Sequence, residues 1–378
     1  MGAVGAPLSI RSLELVDFRC FSAAAVEFDT GTTVLRGENG TGKTSVLEAV
    51  AWLATMRSFR EAPRDVLVRN GQPVAVIRAE IADGDRPVTL EVELPETRPV
   101  RYLANRQRVR RRRDLRGVLR VSTFSPDDLA LVQGGPSNRR GFLDETLLNR
   151  DPRLEEPLAE MDRVLRQRGA LLRQSRAGDI ETTLEVWDRR LASAGTLWAQ
   201  SRETLVDDLR PRVTAAYREL AGAAHPIDLR YRRSWEGELG EALLRHRTLD
   251  LARQVTSVGP HRDELVIDLA GRPARTQASQ GEQRTVALAL RLAAHELVRD
   301  DETEAPVLLL DDVFSELDAR RSAALVDRLP GQQVVLATAS EPPKAVKGST
   351  VWVPDDMGGH GVAILGEHGR AAKEGEQL

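Results

Sequence analysis

Short apolar runs broken by polar residues fill the first hundred positions. Ile10–Val16, Ala25–Phe28 and Thr32–Arg36 have strand length, and Ser45–Met56 carries Val46, Leu47, Ala49, Val50, Leu53 and Ala54 at helical spacing. Ala75, Ile77, Ala79 and Ile81 alternate with polar residues, as do Val88, Leu90, Val92 and Leu94. Period two in both segments predicts a half-buried antiparallel pair with a turn at Asp83-Gly84-Asp85. Between 154 and 220 the period changes. Leu154, Leu158, Met161, Leu165 and Leu172 fit one helical face, and Leu184, Trp187, Leu191, Ala194, Leu197 and Trp198 another. Gly178-Asp179, with Asp179 as N-cap, separates them and predicts an antiparallel helical hairpin whose aromatics are core. Beyond 255 strands return: Val266–Leu269, then Val307–Leu310, Val334–Ala337, Thr350–Val353 and Val362–Leu365, with a helix over Gln283–Arg299. The last four strands match a buried parallel sheet. The pattern predicts an α/β domain built from both ends, residues 1–125 and 256–366. A mainly helical lobe over 126–255 interrupts it, and a disordered tail covers 367–378.

Composition narrows the function classes. A chain of 378 residues, 41% hydrophobic, is long enough for two domains and a substantial core. Its net charge of -3 gives no global basic field, so any polyanion contact must come from local charge. The single cysteine, Cys20, excludes an internal disulfide and is expected to be a small buried apolar residue in a reducing, cytoplasmic setting. No apolar run reaches the roughly 18 residues of a membrane span, and the first residues lack a signal-peptide pattern, so no membrane partner is expected. Only Lys43, Lys344, Lys347 and Lys373 are lysines among 54 Lys and Arg residues, so a lysine inside a glycine-rich loop stands out.

That loop is Gly37-Glu38-Asn39-Gly40-Thr41-Gly42-Lys43-Thr44, followed by Ser45. It fits G-x-x-x-x-G-K-[ST], between a strand and a helix. Its backbone N–H groups and the helix N-terminus attract phosphates, Lys43 reaches the β- and γ-phosphates, and Thr44 ligates Mg²⁺. The cofactors expected are therefore ATP and Mg²⁺. Val307-Leu308-Leu309-Leu310-Asp311-Asp312 reads as a buried strand ending in two carboxylates at a ligand-binding sheet edge. Asp311 is expected to hold Mg²⁺, and Asp312 to act as the general base on water. Asp is one methylene shorter than Glu, so slow hydrolysis is expected. Ser279-Gln280-Gly281-Glu282-Gln283 opens a helix. Ser279 is either an ordinary cap or, with Gly281 and Gln283, part of a helix end aimed at the nucleotide of a second copy. His261 and Asp263 lack metal spacing and read as structural.

Taken together, these motifs resemble the ABC-type ATPase heads of the SMC-like group, and more narrowly the RecF family. The strings that carry the narrower resemblance are Leu15-Val16-Asp17-Phe18-Arg19, Thr55-Met56-Arg57-Ser58-Phe59-Arg60, Phe124-Ser125-Pro126-Asp127-Asp128-Leu129, Gly134 to Arg140, Phe142-Leu143-Asp144 and Gly259 to Leu265. The resemblance spans about residues 10 to 355 without a long coiled-coil insertion. It implies an ABC-type P-loop head with a mixed sheet, interrupted by the helical lobe. It implies a slow DNA-dependent ATPase that dimerises on ATP, clamps DNA at gaps or single/double-strand junctions, and assists loading of RecA with RecO and RecR. Ser45, Ala278 and Thr338 mark departures or family-specific choices, and Gln133 is a candidate Q-loop residue. A paralogue in another pathway and an ABC transporter subunit are the alternatives.

Residues 101–120 hold nine Arg and one Asp, with Arg110, Arg111, Arg112 and Arg113 consecutive. Such a run reads either as a sequence-independent contact to the DNA backbone or as a solvated face.

Overall fold

The computed structural model describes residues 9–83, 86–109, 114–115, 117–174, 181–222, 225–301, 305–329, 331–354 and 363–365. In chain order, strands β1 (Ser9–Phe18), β2 (Phe21–Glu27) and β3 (Thr32–Arg36) lead into helix α1 (Lys43–Thr55). A single turn, α2 (Arg64–Leu67), precedes β4 (Val74–Asp83), β5 (Arg86–Pro95), β6 (Arg101–Ala104), β7 (Gln107–Arg108) and β8 (Val121–Phe124). Next come α3 (Ala130–Gln133), α4 (Pro136–Arg150), α5 (Glu155–Gln174), α6 (Glu181–Ala221), β9 (Ile227–Arg232) and α7 (Leu239–Arg253). They are followed by β10 (Glu264–Leu269), β11 (Arg272–Pro273), α8 (Ala274–Gln277) and α9 (Gln280–Asp301). Last are β12 (Val307–Asp311), α10 (Ala319–Val326), β13 (Val334–Thr338), β14 (Ser349–Trp352) and β15 (Ala363–Leu365). The chain forms two compact units, residues 1–128 with 298–378, and residues 129–297. The second unit therefore takes in residues 256–297, which the sequence pattern assigns to the α/β part.

The first unit holds two sheets. One has the order β15-β2-β1-β4-β5-β6-β7, and its β1–β4–β5 centre is antiparallel, as the period-two pattern predicts. The other, β14-β3-β13-β12-β8, is parallel throughout. Its central strands β12 and β13 are buried at every position, which explains their unbroken apolar runs. Helix α1 packs into the core shared by both sheets. Val46, Leu47, Ala49 and Val50 are fully buried, and even Lys43, Ser45 and Glu48 are enclosed. A helix apolar on nearly all sides is one that is covered on nearly all sides.

One polar side chain staples the two sheets. Gln333, immediately before β13, donates from Nε2 to the carbonyls of Ile10 and Asp29, each at 2.7 Å, and its Oε1 accepts the Ile10 N–H at 2.9 Å. It thereby serves the buried N–H and carbonyl of Ile10 in β1 and ties them to the chain just after β2.

The second unit is helical around a small antiparallel sheet, β11-β10-β9. Helices α5, α6 and α7 meet at Arg168, which is fully buried. Its guanidinium donates to Asp188 of α6 and Asp250 of α7, each at 2.7 Å, and to Thr256 at 2.9 Å. Trp198 is buried and donates to Asp144 at 3.0 Å, as expected of a core aromatic.

Several expectations are corrected. The strand at the chain's far end, β15, pairs in parallel with β2 rather than joining the parallel sheet, because a short apolar run carries no information about its neighbour. Cys20 is exposed, lying in the tight β1–β2 turn instead of the core. Leu197 is half exposed, and the α5 face is completed by Val164 and Arg168 while Leu165 is only partly covered. Strand β9 stands within the stretch expected to be a mainly helical lobe, beyond the helical spacing that ends near 220. Its alternation of Ile227, Leu229 and Tyr231 is the signal that the long flanking helical pattern obscured. The turn at Gly84-Asp85, Gly178-Asp179 and the tail at 367–378 lie outside the described residues.

Replacing Gln333 with Ala removes three hydrogen bonds, the two to Ile10 buried and the one to Asp29 part-buried. Urea denaturation is expected to show a loss of about 2–4 kcal/mol in unfolding free energy.

Candidate functional site

The parallel sheet gathers the chemistry at the C-terminal edge of its strands. The loop leaves β3 at Arg36, and two glycines in it are fixed by physical need. A Cβ on Gly37 would lie 2.5 Å from the Val353 carbonyl oxygen. Gly42, at φ 101, sits in the left-handed region, and a Cβ there would lie 2.5 Å from the Phe21 ring and 2.7 Å from Cys20 Sγ. Lys43 Nζ donates back to the carbonyls of Gly37 at 2.8 Å and Glu38 at 2.5 Å, closing the loop around its own ammonium. Thr41 donates to the Glu38 carbonyl at 3.1 Å. Asn39, Gly40, Gly42, Lys43, Thr44 and Ser45 all line a cavity of about 820 Å³, within the usual range for small-molecule sites.

Asp311 and Asp312 line the same cavity. The Thr44 hydroxyl donates to Asp311 Oδ1 at 2.8 Å. Burial pushes the Asp311 carboxyl above its usual range. The Thr44 hydrogen bond and the Arg60 charge act in the opposite direction, and Asp312 and Asp127 reinforce the rise. A buried carboxylate beside a hydroxyl is the hard oxygen pair that Mg²⁺ takes when phosphates complete its shell. Among the described residues no group of three or more His, Cys, Asp or Glu forms a metal cluster. Asp312 adopts the left-handed conformation at φ 47, which turns the chain sharply off β12. The Ser315 hydroxyl lies 2.7 Å from the Asp312 carbonyl and 3.0 Å from its Oδ2, one proton shared between the two acceptors. Asp318 caps α10 by accepting the Arg321 N–H at 2.9 Å.

The rim of the cavity contains residues that motif reading left without a role. Glu48, fully buried one turn beyond Thr44, accepts from Arg19 Nε and Nη2, each at 2.7 Å. It also accepts the Ser58 hydroxyl. Ser58 Oγ in turn accepts the N–H groups of Arg60 at 3.1 Å and Ala62 at 3.2 Å. One carboxylate thus positions two cationic rim residues, Arg19 and Arg60, and both line the cavity. The strings containing Arg19 and Arg60 are conspicuous in the sequence, but nothing in their spacing names Glu48 as their common partner. Thr338, at the end of β13, is buried and bonds Ser340.

In the second unit, Ser279 opens α9 in a reciprocal capping box. Its N–H and hydroxyl both meet Glu282 Oε2 at 2.8 Å, and the Glu282 N–H returns to Ser279 Oγ at 3.3 Å. The Ser279 N–H and hydroxyl hold the Glu282 carboxyl below its usual range. Gly281 has an open flank: a Cβ there would meet nothing within 4 Å. Gln283 is buried, donates to the carbonyls of Ala274 at 3.0 Å and Arg275 at 2.9 Å, and accepts from Gln133 at 2.7 Å. Its amide is used inside the unit, binding α8 and α3 to the start of α9. His261 bonds the Thr256 carbonyl at 3.0 Å, and burial pushes its pKa down to about 4, so the ring stays neutral. Asp263 is fully buried and accepts the Tyr231 hydroxyl and the Ser234 N–H. Arg110, Arg111, Arg112 and Arg113 lie outside the described residues.

A glycine loop and a double-Asp strand sharing one cavity narrow the fold, and comparison with known proteins settles the family. The RecF/RecN/SMC N terminal domain matches residues 9–341. The chain belongs to the RecF family. The DNA replication and repair protein RecF of Frankia alni is 43% identical over 357 residues, covering 88% of this chain and 94% of that protein. The protein of the same name from Kineococcus radiotolerans is 41% identical, covering 90% and 96%. A solved structure described as the recombination mediator protein RecF-ATPrS in RecFOR pathway superposes with a TM-score of 0.85 at 27% identity, over 96% of this chain and 99% of that one. The Smc head domain from Pyrococcus furiosus, at 15% identity and a TM-score of 0.54, shares the fold, an ABC-type ATPase head of mixed sheets and helices.

Asp311 yields a two-sided prediction. Its raised pKa means the folded state holds the proton more tightly than the unfolded chain. Ligand-free stability therefore falls as pH rises from below the ordinary Asp value through the folded-state value. Asp311→Asn removes the buried charge and is expected to raise ligand-free stability at neutral pH by about 0.5–2 kcal/mol. It should also abolish any further stabilisation by Mg²⁺ with ATP, and thermal melting with and without both ligands checks the two effects.

Proposed function

We propose that this chain is an ATP-dependent, DNA-binding recombination mediator. ATP closes a homodimer that clamps DNA at gaps or junctions, and slow DNA-dependent hydrolysis opens it. The observation that carries the reading is the Thr44–Asp311 hydrogen bond, which brings glycine loop and double-Asp strand together in one cavity. The names of its relatives, and the description of the solved RecF as a mediator in the RecFOR pathway, support a role in assisting RecA loading with RecO and RecR as partners.

Each residue has a task in this reading. Lys43 exchanges its two loop carbonyls for β- and γ-phosphate oxygens, and the loop N–H groups and the α1 N-terminus receive the remaining charge. Thr44 and Asp311 are the residues that would hold Mg²⁺, which supplies charge neutralisation at the β- and γ-phosphates when bound. Asp312, oriented by Ser315, accepts a proton from the attacking water, and its short side chain accounts for slow turnover. Ser279 and Gly281 face the nucleotide of a second copy. The open flank of Gly281 supports this, since packing within the described chain gives no reason for glycine in the first turn of a helix. Gln283 positions that turn from below.

Two substitutions test the arrangement. Ser279→Arg is expected to leave ATP affinity within about twofold of the unsubstituted chain while light scattering shows no ATP-dependent dimer. A persistent dimer would remove Ser279 from the interface. Asp312→Asn is expected to retain ATP and the dimer but lower turnover by about 10²-fold or more, measured as phosphate release.

A further inference from the structure

The β6–β7 hairpin is joined by only two residues, Asn105 and Arg106, with φ 49 and 64. Both positive values define a type I′ turn, whose second position favours glycine because a side chain there crowds the backbone. Here that position is Arg106. The turn is also fastened to its neighbour strand. The Asn105 N–H donates to the Thr89 carbonyl at 2.8 Å, and Asn105 Oδ1 accepts the Thr89 N–H at 2.9 Å. Beyond the turn, the Val109 N–H donates to the Tyr102 carbonyl at 2.9 Å and closes the ladder. The arginine tip is thus held rigidly despite an unfavourable conformation, and strain kept in place is a pointer to use.

The charges on the same sheet set this tip apart from its surroundings. Arg78 is matched by Glu14 at 2.8 Å and Glu91 at 2.7 Å, and Arg101 by Glu93 at 3.2 Å. Arg106 and Arg108 are exposed, and among the described residues neither side chain makes an ion pair or hydrogen bond. Residues 101–109 contain no carboxylate, and the chain continues directly into Arg110 to Arg113.

We propose that the Asn105–Arg108 hairpin tip is a docking surface for the DNA phosphate backbone, with Arg106 and Arg108 as its contacts. The idea rests on the DNA-binding reading given above and assigns part of that contact to a built element. Exposed guanidinium groups not offset by carboxylates are available to a polyanion, and a fastened turn loses little freedom on binding. Without an exposed aromatic in the tip to stack on bases, the surface suits the backbone of a duplex, without sequence preference.

The test uses the full-length chain, with fluorescence anisotropy on a duplex and on a single strand of equal length across a salt series, plus thermal melting. Arg106→Gly suits the turn at least as well as arginine, so its melting temperature should equal or exceed that of the unsubstituted chain. Duplex affinity should nevertheless fall roughly eightfold at 0.1 M salt, and the salt slope should become shallower by about one unit. Arg108→Gln should act alike, which keeps the test decisive if Arg106→Gly melts lower. Unchanged affinity and slope in both variants would overturn the proposal while leaving DNA binding by the protein intact. An effect confined to the single strand would overturn the duplex assignment. No DNA binding by the unsubstituted chain would instead overturn the broader reading. Loss of binding to poly-glutamate with duplex binding untouched would reassign the tip to an acidic protein and overturn the proposal.

Discussion

A hydroxyl and a carboxylate 267 residues apart in the chain hold the site together. The Thr44–Asp311 hydrogen bond depends on a strand that belongs to neither motif. Strands β3 and β12 are not neighbours, since β13 lies between them and pairs in parallel with both. In register, Val34, Leu336 and Leu310 stand side by side, so the loop after β3 and the carboxylates after β12 emerge at one edge. Helix α1 then leans across β13 to bring Thr44 to Asp311. Neither end of the chain makes this edge alone, so the cavity and the complete parallel sheet are one requirement.

What was readable in the sequence follows from how tightly physics restricts each segment. A phosphate loop tolerates few spacings, and doubly buried strands require nearly unbroken apolar residues, so β3, α1, β12 and β13 stood out. Pairing partners are less restricted. Nothing in Ala363–Leu365 distinguishes the edge of β2 from that of β14. Cys20 illustrates the converse: residue type favours burial, yet a two-residue turn between β1 and β2 leaves it at the surface. The Arg19–Glu48–Ser58 cluster was illegible for another reason. Its members are ordinary residues in a turn, a helix and a loop, and only the fold makes them adjacent.

Arginine shows why composition alone could not decide this protein's chemistry. Arg168 lies fully buried between Asp188 and Asp250, where loss of either carboxylate would strand a charge in a low-dielectric core. Arg202 and Arg139 make comparable bidentate contacts to Asp144 and Glu264. Arg19 and Arg60 stand at the cavity beside the glycine loop. Arg106 and Arg108 have no such partners among the described residues. A single residue type serves as core cement, as cavity rim and as exposed charge, and only the neighbouring carboxylates tell these apart.

The enclosure of α1 also has a mechanical meaning. A helix gripped on nearly every side by well-packed residues has no free direction in which to slide or roll. The glycine loop is therefore anchored to a helix that is covered on nearly every side. The segment from Met56 to Ala62 that follows is fixed to the same helix, through the Met56 N–H on the Trp52 carbonyl and the Ser58 hydroxyl on Glu48. The glycine loop, the helix it opens and the arginines at its rim are thus one mechanical piece, joined through a single buried carboxylate, Glu48.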